Sequence, residues 1–331
     1  MQVSGAGGEE PPLFSIVIPT FDRLEVLREV LAALGAQANP PPFEVVVVDD
    51  GSSDGTAEWL AGFQPPYPLT RLRQPNRGPA AARNAGVAAA RGERVAFLGD
   101  DTVPDADWLA WHERAWRARG AAPELAVIGR TDWHPRLRRT PLLDYLNEQG
   151  LQFGFGLISD PEQVPFNFFY TSNLSLSRAL LLAEPFDLRF PYAAWEDIEV
   201  AWRLTRHGLR IVYEARARVA HDHPTDLDRF ARRQERAGYC AVVFRRLHPE
   251  LGGFVGLGEG GPPPLPSRRA HRLRERLARA LQFLPVSTPR LWESVFRFHY
   301  IEGLQRGWRE LGAGREEEGS DEDERTFLGL D

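Results

Sequence analysis

FEVVVVDDGSSDGT, residues 43–56, restricts the fold more than any other stretch of this chain. Four consecutive valines leave a strand no polar face, so both of its faces must be covered. Sheets buried on both faces are parallel ones with helices packed above and below. The run breaks off at Asp49-Asp50-Gly51-Ser52, residues that favour turns. Two further apolar runs end in the same way: LFSIVIPTF (13–21) stops at Pro19-Thr20 and Asp22, and RVAFLGDDTVP (94–104) stops at Gly99-Asp100-Asp101. Between them, residues 22–37 predict a helix with Leu24, Leu27, Val30, Leu31 and Leu34 on one face. Helices are also expected at about 54–62, capped by Ser53 or Asp54, and at 79–91, with an extended piece near 69–73. This alternation predicts an open, mostly parallel α/β sheet with right-handed crossovers, whose ligands gather at the carboxyl ends of the strands. Three strand ends then place acidic or hydroxyl groups on one edge.

The second half is less regular. A helix is expected at 106–119, an extended segment at 125–133, an irregular Phe/Asn/Gly-rich wall over 147–177 with a strand at 173–177, and an amphipathic helix at 195–207. The strand LRIVYEA (209–215) and a helix at 226–248 follow. The chain therefore divides into a flexible start (1–12), an α/β domain (13–225), a helical region (226–311) and an acidic tail (312–331) expected to be disordered. Inside the helical region, 252–267 has the Gly/Pro composition of a linker, followed by an Arg-rich helix at 268–284 and another at 290–311.

Composition narrows the function. A formal charge of −6 disfavours a nucleic-acid partner. The sequence contains no lysine, which excludes Schiff-base chemistry and a lysine P-loop. Cys240 is the one cysteine, so neither an intrachain disulfide nor a thiolate metal cluster can form; its setting, AGYCAVVF, predicts a packed structural thiol. The first twelve residues have no basic start and no apolar core, unlike a signal peptide, and no apolar stretch is long enough to span a bilayer. The expectation is a soluble cytoplasmic protein. DDGSSDG is not a calcium loop, because the twelfth position from Asp50 is Ala61 rather than Glu. No GxGxxG follows the first strand, and no Ser or Cys sits in a nucleophile elbow.

Asp100-Asp101 has two readings, a turn or a divalent-cation site that converts like-charge repulsion into shared coordination. The surrounding motifs favour the second. PTF-D at 19–22, VVVVDDGSSDGT at 45–56, NRGPAAARNAG at 76–86, FLGDDTVPDADW at 97–108 and WED at 195–197 resemble, in order and spacing, family 2 glycosyltransferases. The resemblance covers roughly 13–225 and implies a GT-A fold, Rossmann-like with flanking helices, and an enzyme that moves a sugar from a nucleotide diphosphate (UDP, dTDP or GDP type) to an acceptor hydroxyl. It implies Mn²⁺ or Mg²⁺ held by Asp101, with His221 or His223 of VAHDHP as a further ligand, acting as a Lewis acid on the diphosphate. Gly99 stands where the pattern often has an acid. By the same resemblance Pro19, Thr20, Asp22, Asp49, Asp50 and Asp100 surround base and ribose. Asn76, Gly78 and Arg83 would meet base and diphosphate, although Arg83 also reads as a solvated helix residue.

Asp197 would be the general base of an inverting transfer, with Glu196 orienting donor or acceptor; helix-dipole complementarity is the plainer account of that pair. Trp195 and Asn173 would lie on the acceptor side, the latter equally readable as a strand-capping amide. The acceptor is a glycan, a lipid-linked sugar or a small metabolite, and cell-envelope polysaccharide synthesis is the implied setting. The rivals are a sugar-nucleotide pyrophosphorylase, which usually needs a Gly-rich basic loop absent here, and a non-catalytic binding relative. Leu273, Leu277, Leu281 and Leu284 form one stripe on the Arg-rich helix. Docking of that stripe on the protein body or on a second subunit is preferred over peripheral contact of 268–284 with the inner face of a membrane.

Overall fold

A computed structural model describes residues 11–312. The expected flexible start and acidic tail lie almost wholly outside the described residues. The elements are β1 (Phe14–Thr20), α1 (Leu24–Gly35), β2 (Phe43–Asp49), α2 (Thr56–Gly62), β3 (Leu69–Arg73), α3 (Pro79–Ala89), β4 (Arg94–Leu98), β5 (Thr102–Pro104), α4 (Trp108–Ala118), β6 (Leu125–Trp133), α5 (Pro141–Glu148), β7 (Asn173–Ser177), α6 (Arg178–Ala183), α7 (Glu196–Thr205), β8 (Arg210–His221), α8 (Leu227–Leu247), α9 (Arg268–Leu281) and α10 (Pro289–Leu311). One sheet runs β3-β2-β1-β4-β7-β6-β8-β5. Its first four strands are parallel, β7 runs against both neighbours, β8 is parallel to β6, and β5 is antiparallel to β8.

The four valines behave as their pattern requires. Val45 and Val47 pack on one face with Leu27, Val30, Leu31 and Leu34 of α1. Val46 and Val48 pack on the other with Ala80, Ala82 and Val87 of α3. All four are fully buried, a contribution of about 1.5 kcal/mol or more each. The strand at 209–215 was expected to stop early, yet β8 continues to His221. A register shift at Gly129/Arg130 of β6 lets the pairing resume, from Arg130↔Arg218 to Trp133↔His221. This extension brings the HDH segment to the strand-end edge.

The C-terminal helices share their core with the α/β body. Trp133 and Leu142 pack with Leu227 and Phe230 of α8 and Trp292 and Phe296 of α10. Val255 and Leu257, within the expected linker, are buried beside Val242, Phe244 and Leu304. The first part of that segment, up to Leu257, is thus packed chain, held further by Tyr300 Oη donating to the Val255 carbonyl at 2.9 Å. Helices α8 and α10 approach through glycine: a Cβ on Gly303 would sit 1.9 Å from the Glu235 carbonyl oxygen, and one on Gly238 2.0 Å from that of Tyr300. Gly303→Ala must push the helices apart and is expected to destabilise by about 2–3 kcal/mol, read as a lowered urea midpoint.

The Arg-rich helix α9 docks on the face opposite the leucine stripe. His271, Ala278 and the following Gln282 are buried, whereas Leu273, Leu277 and Leu284 are exposed. Only Leu281 of the stripe is part-buried. Of the preferred expectation, leucines docked on the protein body or on a second subunit, the first is corrected by this geometry. Helix α9 presents polar His271 and Glu275 to α10, where Glu275 lies 3.4 Å from His299.

Candidate active site

At the ends of β1 and β2, the acidic residues organise loops. Asp22, in the left-handed region at φ +50°, accepts from the Ser53 N–H at 2.7 Å, and its own N–H donates to Ser52 Oγ at 3.0 Å. Asp49 accepts from the Ser52 N–H at 2.8 Å and lies 3.4 Å from Arg73 Nε. The Asp50 carboxylate accepts from Gln74 Nε2 and the N–H groups of Arg77 and Gly78 at 2.7, 3.0 and 2.9 Å. It thereby sets the loop that carries Asn76, which is exposed, and Gly78. Gly51 is required there: at φ +86° its Cβ would lie 2.9 Å from the Asn76 nitrogen. Pro19 is part-buried and Thr20 buried beside this edge.

The doublet sits in a real turn. Thr102 N–H donates to the Gly99 carbonyl at 3.2 Å, so turn and site are the same structure. Strand β5 begins at once and pairs Thr102 with His221, while the Asp222 N–H donates to the Asp101 carbonyl at 2.7 Å. Backbone pairing thus seats the HDH segment against Asp101. His221 Nε2 lies 3.3 Å and His223 Nδ1 3.2 Å from the same oxygen, Asp101 Oδ2. The two imidazoles stack at 5.4 Å. Trp133 and Phe153 hold His221 from behind, and its Nδ1 is buried with no hydrogen-bond partner among the described residues.

A guanidinium also reaches this oxygen. Arg23 Nη1 is hydrogen-bonded to Asp101 Oδ2, stands 3.0 Å from His223 Nδ1, and its Nε lies 3.9 Å from Asp100. Arg23 thus occupies the position of a cation between the ligand candidates. Burial opposes the charge of Asp101, but His221, His223 and Arg23 together hold its carboxyl well below the usual range. Burial first, and the neighbouring Asp101 next, push Asp100 up to about 7, with Arg23 opposing. One carboxylate and two imidazoles converging within 4.8 Å fit a divalent transition metal. A Cβ at Gly99 would come 3.0 Å from Asp101 Oδ1, so an acid there would crowd this doublet.

The second acidic pair opens α7. Trp195 precedes it at φ +71°, a strained setting for a bulky residue, held by Nε1 donating to the Ala237 carbonyl at 2.9 Å and by packing on Phe244 and Phe254. Glu196 is buried and paired with Arg83 Nη1 at 2.9 Å. Arg83 is therefore an internal counter-ion packed over Phe186, not a solvated helix residue. Burial and the adjacent Glu196 charge push Asp197 up to about 7, with Arg83 pulling the other way. Tyr170 and Arg233 share the field of Asp197, and Arg233 also feels Glu196 and Asp101. Arg233 thus lies within electrostatic reach of both acidic centres.

The description "Glycosyl transferase family 2" matches residues 15–173. Over those residues the chain is similar to a family 2 glycosyltransferase domain. Among relatives, the chondroitin synthase of Escherichia coli is 28% identical over 241 residues, 63% of this chain and 34% of that one. A validoxylamine A glucosyltransferase of Streptomyces hygroscopicus subsp. limoneus is 30% identical over 227 residues, 60% of this chain and 49% of that one. The chain thus spans half or less of the length of these relatives. In fold it resembles the mannosyltransferase PcManGT of Pyrobaculum calidifontis, solved with GDP-Man and Mn²⁺ (TM-score 0.57, 19% identity, 91% of this chain and 88% of that one). It also resembles S. aureus TarS 1–349 (TM-score 0.51, 17% identity, 91% and 93%). These likenesses show the GT-A fold.

Among the candidates, Asn173 is the one that the fold takes furthest from a ligand. It is 1% exposed. Its Oδ1 accepts from Trp108 Nε1 and faces His112 Nε2, and its Nδ2 donates to the carbonyls of Arg130 and Ala217, at 2.8–3.1 Å. The strand-bracing amide is the reading this supports, and no surface remains for an acceptor. Two residues were missed. Arg23 stands one position after Asp22 at a strand's carboxyl end, where a basic residue among acids was a readable signal. Arg233 lies on α8 inside a run of arginines, and nothing in its local sequence separates it from solvated neighbours.

Proposed function

We propose that this chain transfers a sugar from a nucleotide-diphosphate donor to an acceptor hydroxyl, with inversion at the anomeric carbon. The observation that carries the reading is two carboxylates within electrostatic reach of one arginine, Arg233, and driven in opposite directions: Asp101 kept ionised, Asp197 raised to about 7. Such a separation assigns roles. Asp197 is protonatable near neutral pH and suits a general base that takes the acceptor's hydroxyl proton. Asp101 with His221 and His223 would hold Mn²⁺ or Mg²⁺, which supplies charge stabilisation to the departing diphosphate. Arg233, which makes no ion pair among the described residues, offers a further positive charge to the same leaving group. Asp22, Asp50 and Asp100 shape the nucleoside side, Asp50 through the loop bearing Asn76 and Gly78. Glu196 orients through its Arg83 pair, and Trp195 holds the entry to α7. PcManGT was solved with GDP-Man and Mn²⁺, and TarS 1–349 with UDP-GlcNAc, which supports a nucleotide sugar as the donor class.

Calorimetric titration with UDP, dTDP and GDP, with and without Mn²⁺, tests the proposal. One nucleotide is expected to bind, and only with the metal; binding of none, or binding indifferent to metal, would overturn it.

A further inference from the structure

Among the described residues ten large apolar side chains are exposed, and five of them fall between 273 and 286: Leu273 (72% exposed), Leu277 (51%), Phe283 (56%), Leu284 and Val286. At 3.6 residues per turn Arg269, Arg272 and Arg276 flank Leu273 and Leu277 on the outward side of α9. These three arginines are exposed and make no ion pair among the described residues. The sole acid of 268–286, Glu275, faces inward, 3.1 Å from Arg279 and 3.4 Å from His299. The inward face is committed: His271 stacks on Phe298 with ring centres 3.6 Å apart, Ala278 is buried, and Arg279 pairs with Asp228 at 2.7 Å. The outward face is therefore apolar and purely cationic in a chain whose net charge is −6.

We infer that this face of α9 and the following 283–286 segment seats on an anionic phospholipid surface. A helix with leucines on one side, arginines at its flanks and low overall hydrophobicity is built to lie in a bilayer interface. Charge complementarity selects that occupant. A second copy meeting this face in a two-fold arrangement would set arginine against arginine, whereas an anionic leaflet attracts every one of them. The seat is tied to the segment that carries His223: Gln282 Oε1 accepts from the Leu227 N–H at 2.9 Å, at the start of the helix that follows that residue. The inference stands apart from the transferase reading.

Co-sedimentation of the full chain with vesicles of phosphatidylcholine alone, or mixed with phosphatidylglycerol, tests it. Binding to the anionic vesicles is expected to be roughly 100-fold stronger, from about a factor of five for each of three arginines, and to weaken as salt rises. The double variant Leu273→Glu, Leu277→Glu is expected to lose about tenfold or more in vesicle binding with an unchanged thermal midpoint, since both side chains are already in solvent. Equal binding to both vesicles, or full binding by the double variant, would overturn the inference. So would dimerisation in solution that the same variant abolishes. Vesicle binding that appears only after residues 313–331 are removed would assign the face to the acidic tail and overturn it as well.

Discussion

Asp197→Asn is expected to lower kcat by between about 100- and 10,000-fold, the usual range for loss of a general base, while nucleotide affinity stays within about twofold. The side chain keeps its size and loses only the ability to accept a proton. Because burial and Glu196 raise the Asp197 pKa to about 7, wild-type turnover should fall about tenfold per pH unit below 7, and the residual activity of the Asn variant should not. Stability carries the opposite sign. An acid whose folded pKa lies above its unfolded value of about 3.9 binds its proton more tightly when folded. Its ionisation therefore weakens the fold as pH rises from about 4 to 7, and the penalty is constant above that. Asp197→Asn should raise the melting temperature at pH 8 and leave it unchanged at pH 3.5. The gain is of order 2 kcal/mol, because the side chain keeps some contact with solvent. A flat pH–rate profile in the wild type, or a variant of normal kcat, would remove Asp197 from the chemistry.

Asp101→Ala is expected to abolish the stabilisation that Mn²⁺ gives the wild type in a thermal melt, and to weaken metal-dependent nucleotide binding by about 100-fold or more. Three cationic or metal-ligating groups aim at Asp101 Oδ2; without it, His221, His223 and Arg23 converge on nothing. Arg23→Ala gives the contrasting result. The Arg23 guanidinium competes for the same carboxylate, so its removal should tighten Mn²⁺ binding several-fold while weakening the fold in metal-free buffer. Both effects are read from melting curves at increasing Mn²⁺. Tightened binding in Arg23→Ala together with none in Asp101→Ala would place the ion between these residues. A normal Mn²⁺ response in Asp101→Ala would show that the doublet is only a turn.

How much of this was legible in advance depended on range. Patterns within ten or twenty residues carried the parallel half of the sheet: Val45 to Val48 alternate between the α1 and α3 layers as a doubly covered strand must. They also carried the strand at 173–177 and the amphipathic α7. The length of β8 was not legible, because strand pairing with β6 and β5, rather than local propensity, extends it to His221. The Gly/Pro stretch at 252–267 read as a linker by composition, and its first part is packed because Val255 and Leu257 find α8 and α10 above them.

The chemistry on offer follows from the amino acids alone: acids at three strand ends, an HDH pair, a Glu-Asp helix start, no lysine and no usable thiol. So does the edge at which that chemistry would collect, since apolar runs and turn residues act locally and strand direction follows from crossovers. Which of these groups meet is set by the packed fold. Arg83 became the partner of Glu196 across 113 residues, Arg23 the counter-ion of Asp101 across 78, and Asn173 a buried brace. Only it turned the leucines of α9 outward, because α10 and the start of α8 take up the opposite face of that helix. Charge pairing and burial act through space, and separation along the chain holds no record of distance in the fold.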